Sequence, residues 1–217
     1  MSWFFPRTQR VLGIDIASQS LNLIGLSKAA HGHQIDGFVV HRTPFDLLSD
    51  GFLHDLPLVA DMLTELLKQI KTACKQVIFA IPDACTLCKI VKASRRLRPE
   101  QVLDFAYLEM EKLLPKAQHH LYLDYQWCDP GAGEGLIADV MIVASRCEYI
   151  DERVELARRV GLHTKAVTIE SLAMQRVVGQ HEVNPLSTVR LGRQVNREAL
   201  MNDAHDLLTA YGLALSW

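Results

Sequence analysis

The order of apolar segments before residue 83 is the feature that most constrains the fold of this 217-residue chain. Residues 11–16 (VLGIDI) and 21–27 (LNLIGLS) are apolar runs separated by a short polar turn, and residues 34–42 (QIDGFVVHR) form a third run. Such runs, bounded by turn residues, predict three consecutive antiparallel strands. Apolar side chains at helical spacing over 58–70 then predict a helix, and the apolar run 77–82 (VIFAIP) predicts a strand buried on both faces. The predicted order is therefore β-β-β-α-β.

Residues 83–146 have a different pattern and predict a small inserted α+β subdomain. Strands are predicted at 86–93 (TLCKIVKA), 121–128 (LYLDYQWC) and 136–145 (LIADVMIVAS). A helix is predicted between Pro99, which suits a first helical turn, and Pro115, which cannot continue a helix.

Residues 147–217 return to alternating helices and strands, and with residues 1–82 they predict one α/β core around the insertion at 83–146. In the C-terminal part, helices are predicted at 147–160, 170–178 and about 197–210, and a strand is predicted at 163–169. Residues 44–57 and 179–196 show no regular period and are predicted to be irregular.

The composition narrows the class of protein. Hydrophobic residues make up 49% of the chain and the formal net charge is −2, which predicts a folded protein without a positive field for nucleic acid. No apolar stretch approaches the roughly 20 residues that span a bilayer, so we expect no membrane span. The five cysteines show no disulfide pattern, which is typical of a reducing cytoplasm.

Two short segments carry candidate site residues. Asp15 ends the first apolar run, and the turn after it presents three neutral donors: Ser18, Gln19 and Ser20. A second candidate is the basic turn formed by Arg95, Arg96 and Arg98, which is either a docking patch for a partner or a solvated loop.

No metal site and no catalytic residue are predicted. The pair Cys85 and Cys88 has no second cysteine pair and no suitable histidine partner to complete a zinc site. No nucleophile motif of the Gly-x-Ser-x-Gly type is present.

Taken together and in order, these segments resemble the PilM family of type IV pilus assembly proteins, relatives of the FtsA branch of actin-like ATPases. Residues 13–27 (GIDIASQSLNLIGLS) resemble the first phosphate motif of the family, and 79–83 (FAIPD) resemble its AIPD step. Residues 136–176 give the longest match. The tail segments VNPLSTVRL (183–191) and DLLTAYGLALSW (206–217) resemble the C-terminal part of the family.

The resemblance implies a ribonuclease-H-like half of an actin-like ATPase fold (subdomain 1A) with an inserted subdomain of the 1C type. It also implies that the second lobe (2A and 2B) is absent, between about residues 179 and 183. Ala17 stands where the family has glycine, and Asn22 stands where it has lysine. A Cβ opposes close approach of a phosphate, and asparagine supplies no cation. We therefore expect a degenerate, empty phosphate turn at Asp15, Ser18, Gln19 and Ser20, and no ATP, Mg²⁺ or other cofactor.

By resemblance, the chain is an assembly scaffold without enzymatic activity. In this family, a groove between subdomains 1A and 1C receives the cytoplasmic N-terminal tail of the inner-membrane protein PilN. The expected partners are a PilN-like tail and other platform proteins or the assembly ATPase, and the expected location is the cytoplasmic face of the inner membrane. A pilus, a type II secretion system and a DNA-uptake (competence) system all remain open.

Two alternatives remain at the level of sequence. LGIDIAS also resembles the first strand of resolvase-type nucleases, whose aspartate binds a catalytic metal. Such an enzyme needs two metals held by further carboxylates. The candidates to join Asp15 are Asp83 or Glu170 together with Asp203 or Asp206. Alternatively, the chain is a remnant whose second lobe was lost naturally or removed by design.

Overall fold

The computed structural model describes residues 9–29, 32–70, 72–114, 120–128, 135–178 and 185–216. The chain divides into two compact units. The first unit comprises the residues up to Ile81 together with those from Glu152 onward. The second unit runs from Pro82 to Asp151.

The N-terminal part of the first unit follows the predicted β-β-β-α-β order, with one small hairpin added. Its elements are β1 (Arg10–Ala17), β2 (Ser20–Lys28), β3 (His33–Arg42), β4 (Leu48–Ser49), β5 (Phe52–Leu53), α1 (Leu56–Ile70) and β6 (Gln76–Ile81). The prediction of an irregular segment over 44–57 is wrong at this hairpin. Asp50 and Gly51 both have positive φ (50° and 84°), and this pair makes the turn that joins β4 to β5.

In its described residues, the second unit has three strands and a helix after a short 3₁₀ turn at Asp83–Cys85. These elements are β7 (Thr86–Ser94), α2 (Pro99–Leu113), β8 (Leu121–Trp127) and β9 (Ile137–Arg146). The following helix, α3 (Cys147–Arg159), begins in the second unit and ends in the first.

The C-terminal part of the first unit adds further strands and helices. They are β10 (His163–Ile169), α4 (Glu170–Val178), β11 (Arg190–Leu191), α5 (Arg197–Asn202) and α6 (Leu208–Ala214). The single final helix predicted over 197–210 is wrong: the chain bends between α5 and α6. At the end of β3, Arg42 forms ion pairs with Asp203 and Asp206, which both lie in this bend.

The predicted irregular segment 179–196 also contains an element, since β11 pairs in parallel with β3. Residues 179–184 lie outside the described part of the chain. The position at which the second lobe is predicted to be absent, about 179–183, lies within this range.

A mixed six-stranded sheet organises the first unit, in the order β10-β6-β1-β2-β3-β11. Strands β1, β2 and β3 form the predicted antiparallel meander, while β6 runs parallel to both β1 and β10. Helices α1 and α3 contribute to the core on one face of the sheet, and α4, α5 and α6 contribute to the core on the other. The predicted α/β fold class is confirmed.

The close contact between β1 and α6 depends on Gly13. A Cβ at this position would lie 1.9 Å from the backbone oxygen of Ala210 in α6. Real Cβ atoms do not approach backbone that closely, so α6 reaches the sheet only because the residue below it has no side chain.

The second unit has its own small core. Its sheet has the order β7-β9-β8, with both strand pairs antiparallel. Alternate residues of β9, namely Val140, Ile142 and Ala144, face the buried side chains of α2. The buried residues of α2 are Val102, Ala106 and Met110, spaced four apart along one side of the helix.

Candidate functional site

The turn between β1 and β2 is short and is held from outside by the chain that follows β3. Ala17 pairs with Ser20 in the register, so Ser18 and Gln19 form the two-residue connection. The backbone N–H of Thr43 donates to the Gln19 carbonyl at 2.9 Å, and that of Leu47 donates to the Ser18 carbonyl at 2.6 Å. The turn and the segment 43–47 therefore form one local structure.

A carboxylate of the chain itself occupies the side-chain donors of this turn. Ser18 Oγ donates to Asp46 Oδ1 at 2.8 Å, and Gln19 Nε2 donates to the same oxygen at 3.2 Å. Both donors are exposed. An incoming phosphate would have to displace Asp46 from these donors and would be repelled by its negative charge.

Asp15 lies below the turn and is buried. It faces Asn22 across the β1–β2 ladder, and Asn22 Nδ2 donates to Asp15 Oδ2 at 3.2 Å. Burial raises the pKa of Asp15 to about 7, with a smaller increase from the negative charge of Glu170, and the Asn22 hydrogen bond opposes both. Near neutral pH, a large fraction of Asp15 therefore carries a proton and no charge.

Asn22 links Asp15 to the turn. Its Nδ2 also donates to Ser20 Oγ at 3.2 Å, while its buried Oδ1 has no hydrogen-bond partner among the described residues. A lysine at position 22 would place a cation here, whereas asparagine supplies hydrogen-bond donors without a positive charge.

The residues proposed for a nuclease do not form a metal-binding group in the described part of the chain. No three His, Cys, Asp or Glu side chains come together there as a metal site. Asp203 and Asp206 are both held by Arg42, and Asp83 belongs to the second unit. Of the proposed carboxylates, Glu170 is the one whose charge raises the Asp15 pKa.

The basic turn of the second unit does not present three equivalent arginines. Arg95 lies over the ring of Trp127, with its guanidinium carbon 5.8 Å from the ring centroid. Arg98 is the N-cap residue of α2, and its backbone N–H donates to Gln101 Oε1 at 2.9 Å. Arg96 and Arg98 are exposed, whereas Arg95 is half-buried. A docking role for this turn stays a prediction.

Two residues that make long-range contacts, Asp46 and Arg153, were not identified from the sequence. Asp46 lies in a segment predicted to be irregular, and nothing in its neighbourhood indicates that it binds a turn 27 residues earlier in the chain. Arg153 is fully buried in α3, where it pairs with Glu152 at 2.6 Å and donates to the Gly51 carbonyl at 2.9 Å. A helical pattern with an arginine in place of an apolar residue was the one available signal for Arg153.

No helix in the described ranges of the chain is long and apolar enough to cross a membrane.

The first unit has a mixed sheet with helices on both faces, and its N-terminal part follows the order β-β-β-α-β. This architecture defines the class of the protein: a ribonuclease-H-like half of an actin-like fold. The particular family follows from a direct match. The model of the family described as "Type IV pilus assembly protein PilM" matches residues 13–182, and the chain belongs to this family. The predicted resemblance is confirmed.

Solved structures agree with this fold. A chain of the PilM–PilN type IV pilus biogenesis complex is 20% identical with a TM-score of 0.69, and the match covers 77% of this chain and 49% of that one. This chain therefore spans about half the length of the solved chain that it matches.

Two further similarities are weaker. The cytoplasmic domain of EpsL, an inner-membrane component of the Vibrio cholerae type II secretion system, is 11% identical with a TM-score of 0.48, covering 76% of this chain and 59% of that one. RuvC of T. thermophilus in complex with a Holliday junction is 11% identical with a TM-score of 0.41, covering 95% and 91%. Nothing about the function of this chain rests on these two.

Proposed function

We propose that this protein is a component of the inner-membrane platform of a type IV pilus or a related system, where it binds the cytoplasmic N-terminal tail of a PilN-like membrane protein. The observation that carries the proposal is the family match over residues 13–182, which includes most of the first-unit sheet and the whole second unit. The solved relative with the same fold is part of a PilM–PilN complex. The chain would be held at the cytoplasmic face of the membrane by this partner.

The proposal includes the absence of nucleotide binding. Three features of the first unit support it. Ser18 and Gln19 donate to Asp46, burial raises the pKa of Asp15 to about 7 so that much of it is neutral near pH 7, and Asn22 supplies no positive charge. Each feature lowers the affinity of the turn for a phosphate–magnesium group, because such a group needs free donors, a charged carboxylate and cations.

The test is a calorimetric titration with a synthetic peptide that reproduces the N-terminal tail of a PilN-like protein from the same organism. A peptide of the same composition in scrambled order is the matched control, and ATP with Mg²⁺ is titrated in parallel. We expect saturable binding of the tail peptide, and no heat above dilution from either the scrambled peptide or the nucleotide. Equal binding of both peptides would contradict the partner, and saturable ATP binding would contradict the nucleotide-free mechanism.

A further inference from the structure

The outer side of α2 in the second unit combines exposed apolar side chains with acidic ones. Asp104, Tyr107, Leu108 and Glu111 follow one another at the i, i+3, i+4 and i+7 positions, opposite the buried side of the helix. Leu108 is 58% exposed and Tyr107 is 38% exposed. Tyr107 and Leu108 are adjacent, and an acidic residue lies on each side of them. The four side chains therefore form one stripe along the helix and are not scattered over the surface.

A cavity of the same unit lies at the C-terminal end of α2. Leu114, three residues after Glu111 and 37% exposed, lines a cavity of ≈ 350 Å³. The other described residues that line it are His120, Leu121, Arg146 and Glu148. The surface of this cavity is mainly apolar, and its volume accommodates aliphatic side chains of a partner.

The charges of the stripe are not compensated within the described residues. Glu100, one turn before Asp104 on the same side of α2, extends the stripe towards the start of the helix. All three carboxylates, of Glu100, Asp104 and Glu111, are exposed, and no ion pair joins them to another described residue. Glu109 on the flank of α2 is different, because Lys112 and Lys89 both bind its carboxylate and lower its pKa. The outer carboxylates are therefore available to cations from outside the chain.

We propose that the outer side of α2, together with the cavity at Leu114, is a docking surface for a basic amphipathic helix of a partner protein. Charge complementarity selects this occupant: lysines or arginines beside a row of aliphatic side chains would meet the three carboxylates, while an aliphatic side chain enters the cavity. A second copy of the same surface would bring like charges together, and anionic lipid would be repelled. This proposal does not depend on the tail binding proposed above.

The test uses two synthetic, capped 16-residue helical probes that differ in one respect. The first carries leucine along one side and lysine on the flanks, and the second has glutamate in place of every lysine. Fluorescence anisotropy measures the binding of each probe to the full chain at low and at high salt. We expect the lysine probe to bind and to weaken as salt rises, because salt screens exposed charges. The glutamate probe is expected not to bind.

Matched variants locate the surface. The test variant combines Glu100→Gln, Asp104→Asn and Glu111→Gln. The control variant combines Asp61→Asn, Glu65→Gln and Glu198→Gln, which remove the same charge from exposed positions of the first unit. We expect the test variant to weaken binding of the lysine probe by roughly tenfold or more, and the control variant by less than about twofold.

Leu114→Ala provides an independent test that leaves all charges in place. We expect it to weaken the lysine probe at high salt as well as at low salt, because the loss is one of apolar contact. The proposal is overturned by equal losses in the two charge variants, by no binding of the lysine probe, or by equal binding of the glutamate probe. A dimer of the wild-type chain that the test variant dissociates would also overturn it.

Discussion

At the scale of single residues, Asp15 makes the stability of the fold depend on pH. Its pKa rises from 3.8 to about 7 on folding, so between these values the folded chain binds more protons than the unfolded chain. Stability from this group is therefore fully present below about pH 4 and is lost as pH rises towards 7, by about 1.4 kcal/mol per pH unit at most. At pH 7 about half of the folded chains still carry this proton, so the contribution of Asp15 stops changing only above about pH 8.

The corresponding prediction concerns Asp15→Asn, which keeps the shape and removes the titration. Urea unfolding at pH 5, 6, 7 and 8 should show a smaller fall in stability with pH for this variant than for the wild type. The variant should also be the more stable of the two at pH 8. Asp61→Asn, at an exposed position of α1, serves as control and should keep the wild-type slope. An unchanged slope in Asp15→Asn would show that other groups cause the pH dependence.

Arg153 is a second residue at which a substitution is expected to lower stability, and by more than at a surface arginine. It connects α3 to the hairpin β4–β5, since it binds the Gly51 carbonyl while Glu152 accepts from the backbone N–H of Leu53 at 2.9 Å. Arg153→Ala should reduce the free energy of unfolding by about 3–5 kcal/mol, because Glu152 loses its cationic partner and a buried cavity is left. Chemical denaturation measures this loss. Arg158→Ala, which removes an exposed partner of Glu155, should have a much smaller effect.

At the scale of elements, the packing of α6 on the first-unit sheet depends on its close contact with β1. Gly13→Ala places a Cβ against the Ala210 carbonyl, so α6 must move away from the sheet. We expect a loss of about 3 kcal/mol, at the upper end of overpacking costs, and a clear decrease in melting temperature. Gly25→Ala in β2 is the matched control, since its Cβ would lie 3.6 Å from the nearest atom, Leu12 Cδ2. A loss in Gly13→Ala that is no larger than the loss in Gly25→Ala would show that α6 adapts without an extra cost.

At the scale of the whole molecule, the two units differ in how their sheets are covered. The first-unit sheet has a core on both faces, whereas the three strands of the second unit pack on α2 with one face. On the other face of that small sheet, Ile90 is 64% exposed. Strands covered on both sides open less often than strands covered on one side.

Hydrogen–deuterium exchange should therefore separate the units. Amides of β1, β2 and β6 are expected to exchange most slowly, and those of β7 and β8, the two outer strands of the small sheet, markedly faster. The comparison uses peptides of similar length from the full chain under one set of conditions. Uniform protection across both units would show that they open together as a single cooperative structure.

The sequence by itself determined the strands and helices whose apolar residues follow a clear period. The meander of β1–β3, the helix α1 and the buried strand β6 follow from local patterns, because period and burial are encoded within each segment. The ordered motifs likewise indicated the family from the sequence alone, and the family match over residues 13–182 confirms it.

Only the tertiary structure decided the features that depend on residues distant in the chain. Four such features are the occupation of the turn by Asp46, the raised pKa of Asp15, the break between α5 and α6 with its ion pair to Arg42, and the role of Arg153. Each of them requires partners that folding brings together. The physical reason is that burial and charge pairing act through space. A local pattern records which residues are apolar, but not which distant carboxylate reaches a given donor.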